Sequence, residues 1–297
     1  MTPQQLRADL LRLDDQRWRL ISQDGSCCTI TNPPKAWVDN LRRRAQGSGD
    51  DLDASFEQTL ADRRLVQSGT SGHKVVIIGG GLLAAEVALG LAQMGVVVRV
   101  SAPQAAPVAL DPLGVHASAA AAVREWVMGR MPSAKIEATQ HWTALGDGCA
   151  DLIVVASHTV QPDRAVTDHL ARHWLPHLVV RAHHDTAVVG PLVDHQGGPC
   201  LACVDLAMAD HDALWPATVG ALTMAAAEPD ASAAHWAGAQ ATLEAAWFMR
   251  GAGTTLRAST IETDATNSGV ARRRWHPHKD CACQLGMADV IQLRRAA

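Results

Sequence analysis

Lys74-Val-Val-Ile-Ile-Gly-Gly-Gly-Leu-Leu-Ala-Ala-Glu86 decides the fold of this chain. A short apolar run of buried-strand character meets three glycines, and an alanine- and leucine-rich helix begins directly after them. The helical pattern runs to about Met94, Gly95 ends it, and Val96-Val-Val-Arg-Val100 reads as the next strand. Strand, glycine turn, helix and strand form a complete βαβ unit, and such a unit requires parallel strands. Gly79, Gly81 and Ala84 occupy the positions of a Gly-x-Gly-x-x-Ala turn. There the missing side chains let a phosphate approach the helix N-terminus, so these three are the candidate cofactor-binding residues. A tight crossover without ligand uses the same glycines.

The alternation continues downstream. Residues 117–127 read as a helix, 135–138 as a short strand, 150–156 as a buried strand, 162–175 as a helix and 176–180 as a strand. This predicts a Rossmann-like, doubly wound parallel sheet with helices on both faces. Residues 188–193 lead out of it. Residues 215–227 and 231–250 are two Ala-rich helices divided by Glu228-Pro-Asp230, whose small side chains suit close packing on the sheet. Residues 254–263 alternate like a strand, and 270–275 read as its hairpin partner.

Two cysteine pairs frame that region. In Gly198-Pro-Cys-Leu-Ala-Cys203 the thiols of Cys200 and Cys203 are spaced to turn onto one ion, and Cys281-Ala-Cys283 supplies a second pair far along the chain. Cys200, Cys203, Cys281 and Cys283 are thus the candidate ligands of a structural Zn²⁺ with no open position for substrate. The second pair is Cys-x-Cys, so His276 or His278 is an alternative to one thiolate. Such a metal staples the C-terminal tail to the middle of the chain. Cys27, Cys28 and Cys149 read as small core residues.

The chain has 297 residues, 47% of them hydrophobic and 19% charged, with a formal net charge of −4. That is globular, and it points away from a nucleic-acid surface. The basic runs Arg42–Arg44 and Arg272–Arg274 read as solvated turns or helix ends. The N-terminus lacks signal-peptide character and no apolar run reaches membrane length, so a reducing, cytoplasmic setting is expected.

Residues 1–70 read as a separate module. Trp18–Ile21 and Cys27–Thr31 are strand-like and joined by the turn Ser22-Gln-Asp-Gly-Ser26. Pro33-Pro34 opens a helix carrying Ala36, Trp37, Val38 and Leu41. Leu52, Phe56 and Leu60 mark a second helix, after which Leu65 and Val66 close the unit. Hairpin, helix, helix is the outline of a winged helix, and the pattern resembles PqqD-like peptide-recognition elements. On that reading an extended peptide adds to an edge at Trp18–Ile21 or Cys28–Thr31, beside a pocket of Phe56, Leu60 and Leu65. The polar stretch after it starts the second domain, 71–297.

Taken together, the glycine turn, Ala150-Asp-Leu-Ile-Val-Val-Ala156, Gly190-Pro-Leu-Val193, Pro199-Cys-Leu-Ala-Cys203 and the distal cysteines resemble the ThiF/MoeB-type, ubiquitin-activating-enzyme-like superfamily. Within it, Cys200 to Pro216 is similar to actinobacterial members associated with thiazole/oxazole-modified peptide pathways, partners of cyclodehydratases. The resemblance implies ATP, carboxylate adenylation, zinc and a homodimer. Active members need an acid for the ribose, an Arg and a Lys for the phosphates, and a late Asp for Mg²⁺. Here residues 101–116 carry no acid until Asp111, and Ser157-His158 stand where the late Asp belongs. Arg124, Arg130 and Lys135 match no spacing of the family. The expectation is therefore a degenerate, ATP-independent member that binds a peptide or small protein client and presents it to a partner modifying enzyme. An adenylyltransferase is the alternative. Arg99 and Ser101 could hold a 2′-phosphate, so an NADP-dependent oxidoreductase is a second one. His183, His184 and Asp185 form a further acid/base candidate, more simply read as a strand end.

Overall fold

The computed structural model describes residues 5–284 apart from 47, 64, 68, 140, 252 and 265–268. Two units separate by their internal contacts, Met1–Thr70 and Ser71–Ala297.

In the first unit β1 (Gln5–Leu6) pairs with β5 (Val66–Gln67) at its far end. Between them run β2 (Asp9–Arg12), β3 (Arg17–Ile21), β4 (Cys27–Thr31), α1 (Lys35–Ala45) and α2 (Ala54–Asp62). Asp53 caps α2 by accepting from the Ser55 and Phe56 amides, which satisfies two of the donors a helix start leaves open. Leu6, Leu20, Ile30, Leu41, Leu60 and Leu65 meet in one core.

This arrangement corrects three expectations. The sheet order is β2-β3-β4, so Trp18–Ile21 is the central strand and not an edge. The sequence reading missed β2, whose Asp-Leu-Leu-Arg has no clean alternation. Leu60 and Leu65 are fully buried and hold the unit together, so they line no open pocket, while half-buried Phe56 packs on Trp37 at 5.0 Å between ring centroids. The run Arg42–Arg44 does end a helix, α1, but Arg44 is not solvated: it is 1% exposed and ion-paired to Glu57.

The second unit is built on one eight-stranded sheet. In chain order its elements are β6 (Lys74–Ile78), α3 (Leu82–Gln93), β7 (Val97–Ser101), α4 (Ala119–Arg130), β8 (Ile136–Ala138), β9 (Leu152–Ala156), α5 (Arg164–Arg172), β10 (His177–His183), β11 (Thr186–Val193), α6 (Leu201–His211), α7 (Trp215–Leu222), α8 (Ala231–Met249), β12 (Ser259–Asp264) and β13 (Gly269–Arg274). The strand order is β13-β12-β11-β10-β9-β6-β7-β8.

From β10 to β8 all pairings are parallel, as the βαβ pattern predicts. From β10 to β13 they are antiparallel; the hairpin of the last two strands was expected, the reversal at β11 was not. His183 pairs with Thr186, so only His184 and Asp185 turn the chain, and a connection that short permits only an antiparallel return. The predicted β12–β13 hairpin is present.

One face of the sheet packs on α3, α4 and α8 around Val75, Ile77, Val98, Val154, Leu178 and Val180. The other carries α5, with Val166 and Leu170 on Val76, Ile78 and Ile153. Alanine explains how closely α8 approaches: Ala233, Ala237, Ala241 and Ala245 are buried. A methyl on Gly238 would lie 2.6 Å from the Glu86 Cβ of α3. The first of the two Ala-rich helices departs from its expectation, because α7 buries no residue. Among the described residues no helix is long and apolar enough to cross a membrane.

Candidate functional site

The chain leaves β6 toward β7 and β8 on one side, then returns to β9 on the other. The carboxyl ends of β6 and β9 therefore flank a topological switch point, the place where open α/β sheets take ligands. The glycines divide by role there. Gly79 has φ 145°, and a Cβ on it would sit 1.7 Å from the Ala156 carbonyl oxygen of β9. Only glycine allows that crossing. Gly81 precedes α3 and faces open space, with nothing within 4 Å of a built Cβ. Ala84 is fully buried in the core of the sheet. Gly81 is thus the member of the turn with open space beside it.

The residues that end β7 and follow β9, Ser101, Ser157 and His158, carry no carboxylate. Ser101, which ends β7, is buried, and Arg99 on the same strand faces Glu137 at 3.8 Å. Asp111, the first carboxylate after β7, is turned into its own loop: it accepts from the Val115 amide at 3.0 Å and the His116 amide at 2.9 Å. Those amide bonds, that of His116 foremost, lower its pKa. His116 bridges Asp111 and Glu125 at 3.1 and 3.2 Å, and its pKa is raised, chiefly by Asp111. Beyond β9, the Ser157 hydroxyl meets that of Thr159 at 2.9 Å. The His158 Nδ1 lies 3.4 Å from the Gln104 side-chain nitrogen, and burial lowers its pKa, keeping the ring neutral near pH 7. Gln104 and His158 thus reach toward each other across the end of the sheet, a pair the sequence reading did not name as site residues.

Arg124 and Arg130 lie on α4, and Arg130 stacks on Trp126 at 3.6 Å. Lys135 precedes β8 and so stands at the opposite, amino end of the parallel strands. The His183 and His184 rings are 3.9 Å apart, and His183 Nδ1 accepts from the Glu228 amide. Their place is the hairpin turn that meets the α7–α8 connection.

The four predicted metal-site cysteines come together. Cys200 precedes α6 and Cys203 lies in its first turn, which puts both sulfurs on one side. Gly198 lets this segment approach, since a Cβ there would lie 2.6 Å from the Arg257 carbonyl. Sulfur separations are 3.9 Å for Cys200–Cys203, 3.6 Å for Cys200–Cys281 and 3.4 Å for Cys203–Cys283. All four ligand atoms lie within 4.8 Å of one another. A tetrahedron with metal–sulfur bonds of about 2.3 Å has sulfur edges of about 3.8 Å, whereas a disulfide needs about 2.05 Å. The spacing is that of a cation site.

Electrostatics agree. The hydrogen bond from Cys200 is the largest of the effects that pull Cys203 down to about 4, while Cys200 moves upward through the same bond and burial. Burial pushes Cys281 up to about 12. Buried sulfurs this close favour one thiolate beside protonated neighbours, and a divalent cation is what lets all four ionise. His278 does not join them: its Nε2 lies 3.0 Å from Asp210 and its carbonyl accepts from the Cys281 amide. His276 is exposed. Beside the cluster a cavity of about 770 Å³ opens between α5 and α6, walled by Trp174, Leu175, Val193 and Leu206.

A switch-point crevice behind a glycine turn, with a Cys₄ cluster in the same unit, defines an α/β protein of the doubly wound class. Solved structures share that fold. The microcin C7 biosynthetic enzyme MccB in complex with N-formylated MccA superimposes with a TM-score of 0.60 at 13% identity, covering 94% of this chain and 99% of that one. E. coli MccB with ATP gives 0.59 at 14% identity, with the same coverage. The heterocyclase TruD gives 0.53 at 12% identity, over 95% of this chain and 43% of that longer one. The ThiF/MoeB-type resemblance therefore holds at the level of the fold. No model of a known protein family matches the chain, and no curated protein matches it.

Proposed function

We propose that this chain binds a peptide through its first unit and presents it to a partner enzyme of ribosomal-peptide modification, without adenylating it. The observation that carries the reading is the fold shared along nearly the whole chain with MccB, solved with the MccA peptide, and with the heterocyclase TruD.

The first unit supplies a suitable edge. Ser22 N–H donates to Ser26 and Asn32 N–H to Gln16, so the hydrogen-bonded pairs of β3 and β4 are those of even number. Cys27, Thr29 and Thr31 consequently point their backbone groups away from β3. The Cys27 carbonyl already accepts from Arg63 at 2.8 Å. Thr29 and Thr31 remain as the pairing groups for an added strand, in the manner of a winged-helix peptide clamp.

Absence of adenylation rests on the crevice. Ser101, Ser157 and His158 stand at the strand ends where the chemistry needs carboxylates, and Asp111 is committed to its own loop. The Cys₄ cluster is read as a structural Zn²⁺ site, held by Cys200, Cys203, Cys281 and Cys283, that fixes the tail and gives no open coordination position. A homodimer is part of the reading, supported by the exposed, uncharged stretch 213–227 around α7.

Peptides selected on the full chain from a random display library test the clamp. The variant Thr29→Pro, which removes one outward N–H, should weaken their binding at least about tenfold. Equal affinity of the variant would place recognition elsewhere. The adenylyltransferase reading is favoured by one observation, that Gly81 faces open space in a fold shared with the ATP complex of MccB. Peptide-dependent ATP–pyrophosphate exchange would establish it instead.

A further inference from the structure

We propose that Arg164 is a positioning residue that ties the loop after β9, and with it His158, to the cysteine cluster. The inference rests on the metal reading above and adds a consequence for the crevice. Loop 157–163 connects β9 to α5 at the carboxyl end of the sheet. Arg164, the first residue of α5, donates to Asp205 through Nε at 2.6 Å and through a terminal nitrogen at 2.9 Å. It also donates to the Pro162 carbonyl at 2.7 Å and to the Gln161 side-chain oxygen at 3.2 Å. That oxygen accepts from Arg181 of β10 as well, at 2.7 Å. One guanidinium thus ties the end of the loop to α6, and the shared Gln161 oxygen ties it to β10.

Asp205 brings the metal site into contact with this clamp. It lies on α6 two residues after Cys203, so the turn that directs a sulfur to the cluster also directs the carboxylate to Arg164. The Trp215 indole N–H, 3.1 Å away, holds that carboxylate from α7. The segment then continues over the loop: Gln161 N–H donates to the Leu222 carbonyl, Val160 N–H to that of Ala225, and Ala227 N–H to that of His158.

Residues 200–228 therefore form a strap. The cysteine cluster fastens one end, the backbone bonds to 158–161 hold the other, and the Arg164–Asp205 pair sits between. Helix α6 packs through Leu201, Cys203 and Val204, but α7 buries no side chain, so in the part of the strap that crosses the loop the fastenings decide its position. His158, whose ring meets Gln104 at the crevice, rides on the strapped loop. The cluster thereby shapes a crevice with which it shares no residue.

The test is a two-perturbation cycle on the full chain, read by amide hydrogen exchange. The perturbations are removal of the metal by a chelator and Arg164→Gln. Each alone should speed exchange in residues 157–161 and 222–227 by about tenfold, the size expected for a lost charge-assisted fork, while amides of β6, β9 and β10 stay protected. Arg164→Gln should keep its full zinc content. Together the two should do no more than either alone, because both release the same tie; a merely structural arginine would give additive effects. Arg164→Lys, which retains charge without the fork, should restore only part of the protection. Additive effects, or unchanged exchange in 157–161 after chelation, would overturn the proposal. Protein purified without metal would instead sink the zinc reading. The same cycle run with Cys281→Ser, which breaks the Cys200–Cys281 contact, then decides the tie on its own.

Discussion

Arg44 and Glu57 join the two helices of the first unit through a two-pronged ion pair, at 2.6 and 3.0 Å, with the arginine almost wholly out of water. The Glu57 carboxylate also accepts from the Leu52 amide at 2.8 Å, so the pair fixes the start of α2 as well. Glu57→Ala leaves a buried cation short of its main counter-charge. It should cost about 3–5 kcal/mol, whereas Arg44→Met with Glu57→Leu should cost far less. Urea denaturation of the full-length variants, followed by exchange of amides in residues 5–67, measures both.

Freshly purified protein should hold about one zinc per chain, bound by Cys200, Cys203, Cys281 and Cys283. Cys200→Ser should lower the thermal midpoint and leave peptide affinity of the first unit unchanged. Elemental analysis giving less than half an equivalent would remove the metal assignment.

The glycines of the turn should respond in opposite ways. Gly79→Ala places a methyl into the Ala156 carbonyl at a positive φ, and should prevent the second unit from folding. Gly81→Ala meets open space at φ −99° and should leave stability nearly unchanged. Circular dichroism melts of the two variants provide the comparison. If Gly81→Ala also abolishes a weak ATP·Mg²⁺ signal in a binding titration, the loop has kept its ligand-facing shape.

His177 should make the protein acid-sensitive. Its ring is 1% exposed, Nδ1 lies 2.8 Å from the Leu175 carbonyl, and burial depresses its pKa to about 4. An unfolded histidine titrates near 6.5. Between these values the unfolded chain binds the extra proton, so this group's contribution is intact above about pH 6.5 and falls as pH drops toward 4. The loss amounts to roughly 3 kcal/mol. His177→Gln should flatten the stability profile across that window; an unchanged slope in urea titrations at pH 4.5 to 7 would assign it to other groups.

The sequence by itself determined the elements whose signals are local. Lys74–Glu86 required a βαβ unit because apolar period, glycine turn and helix start follow one another without interruption. The hairpin around Ser22–Ser26 and the two cysteine pairs were legible for the same reason, since turn chemistry and ligand spacing lie within a few residues. What only the tertiary structure decided is partnership between distant residues. The reversal of β11 followed from a two-residue turn, His184-Asp185, in a segment legible from the sequence only as a strand end. Burial of Arg44 depended on Glu57 arriving from another helix, and the edge of the first sheet depended on the weakly patterned β2 pairing with β3. Gln104 meets His158, and Arg164 meets Asp205, only because strand order brings their loops to one end of the sheet or one face of a helix. A polar side chain carries no periodic signal of the partner it will find, so these contacts appear only when the chain has closed.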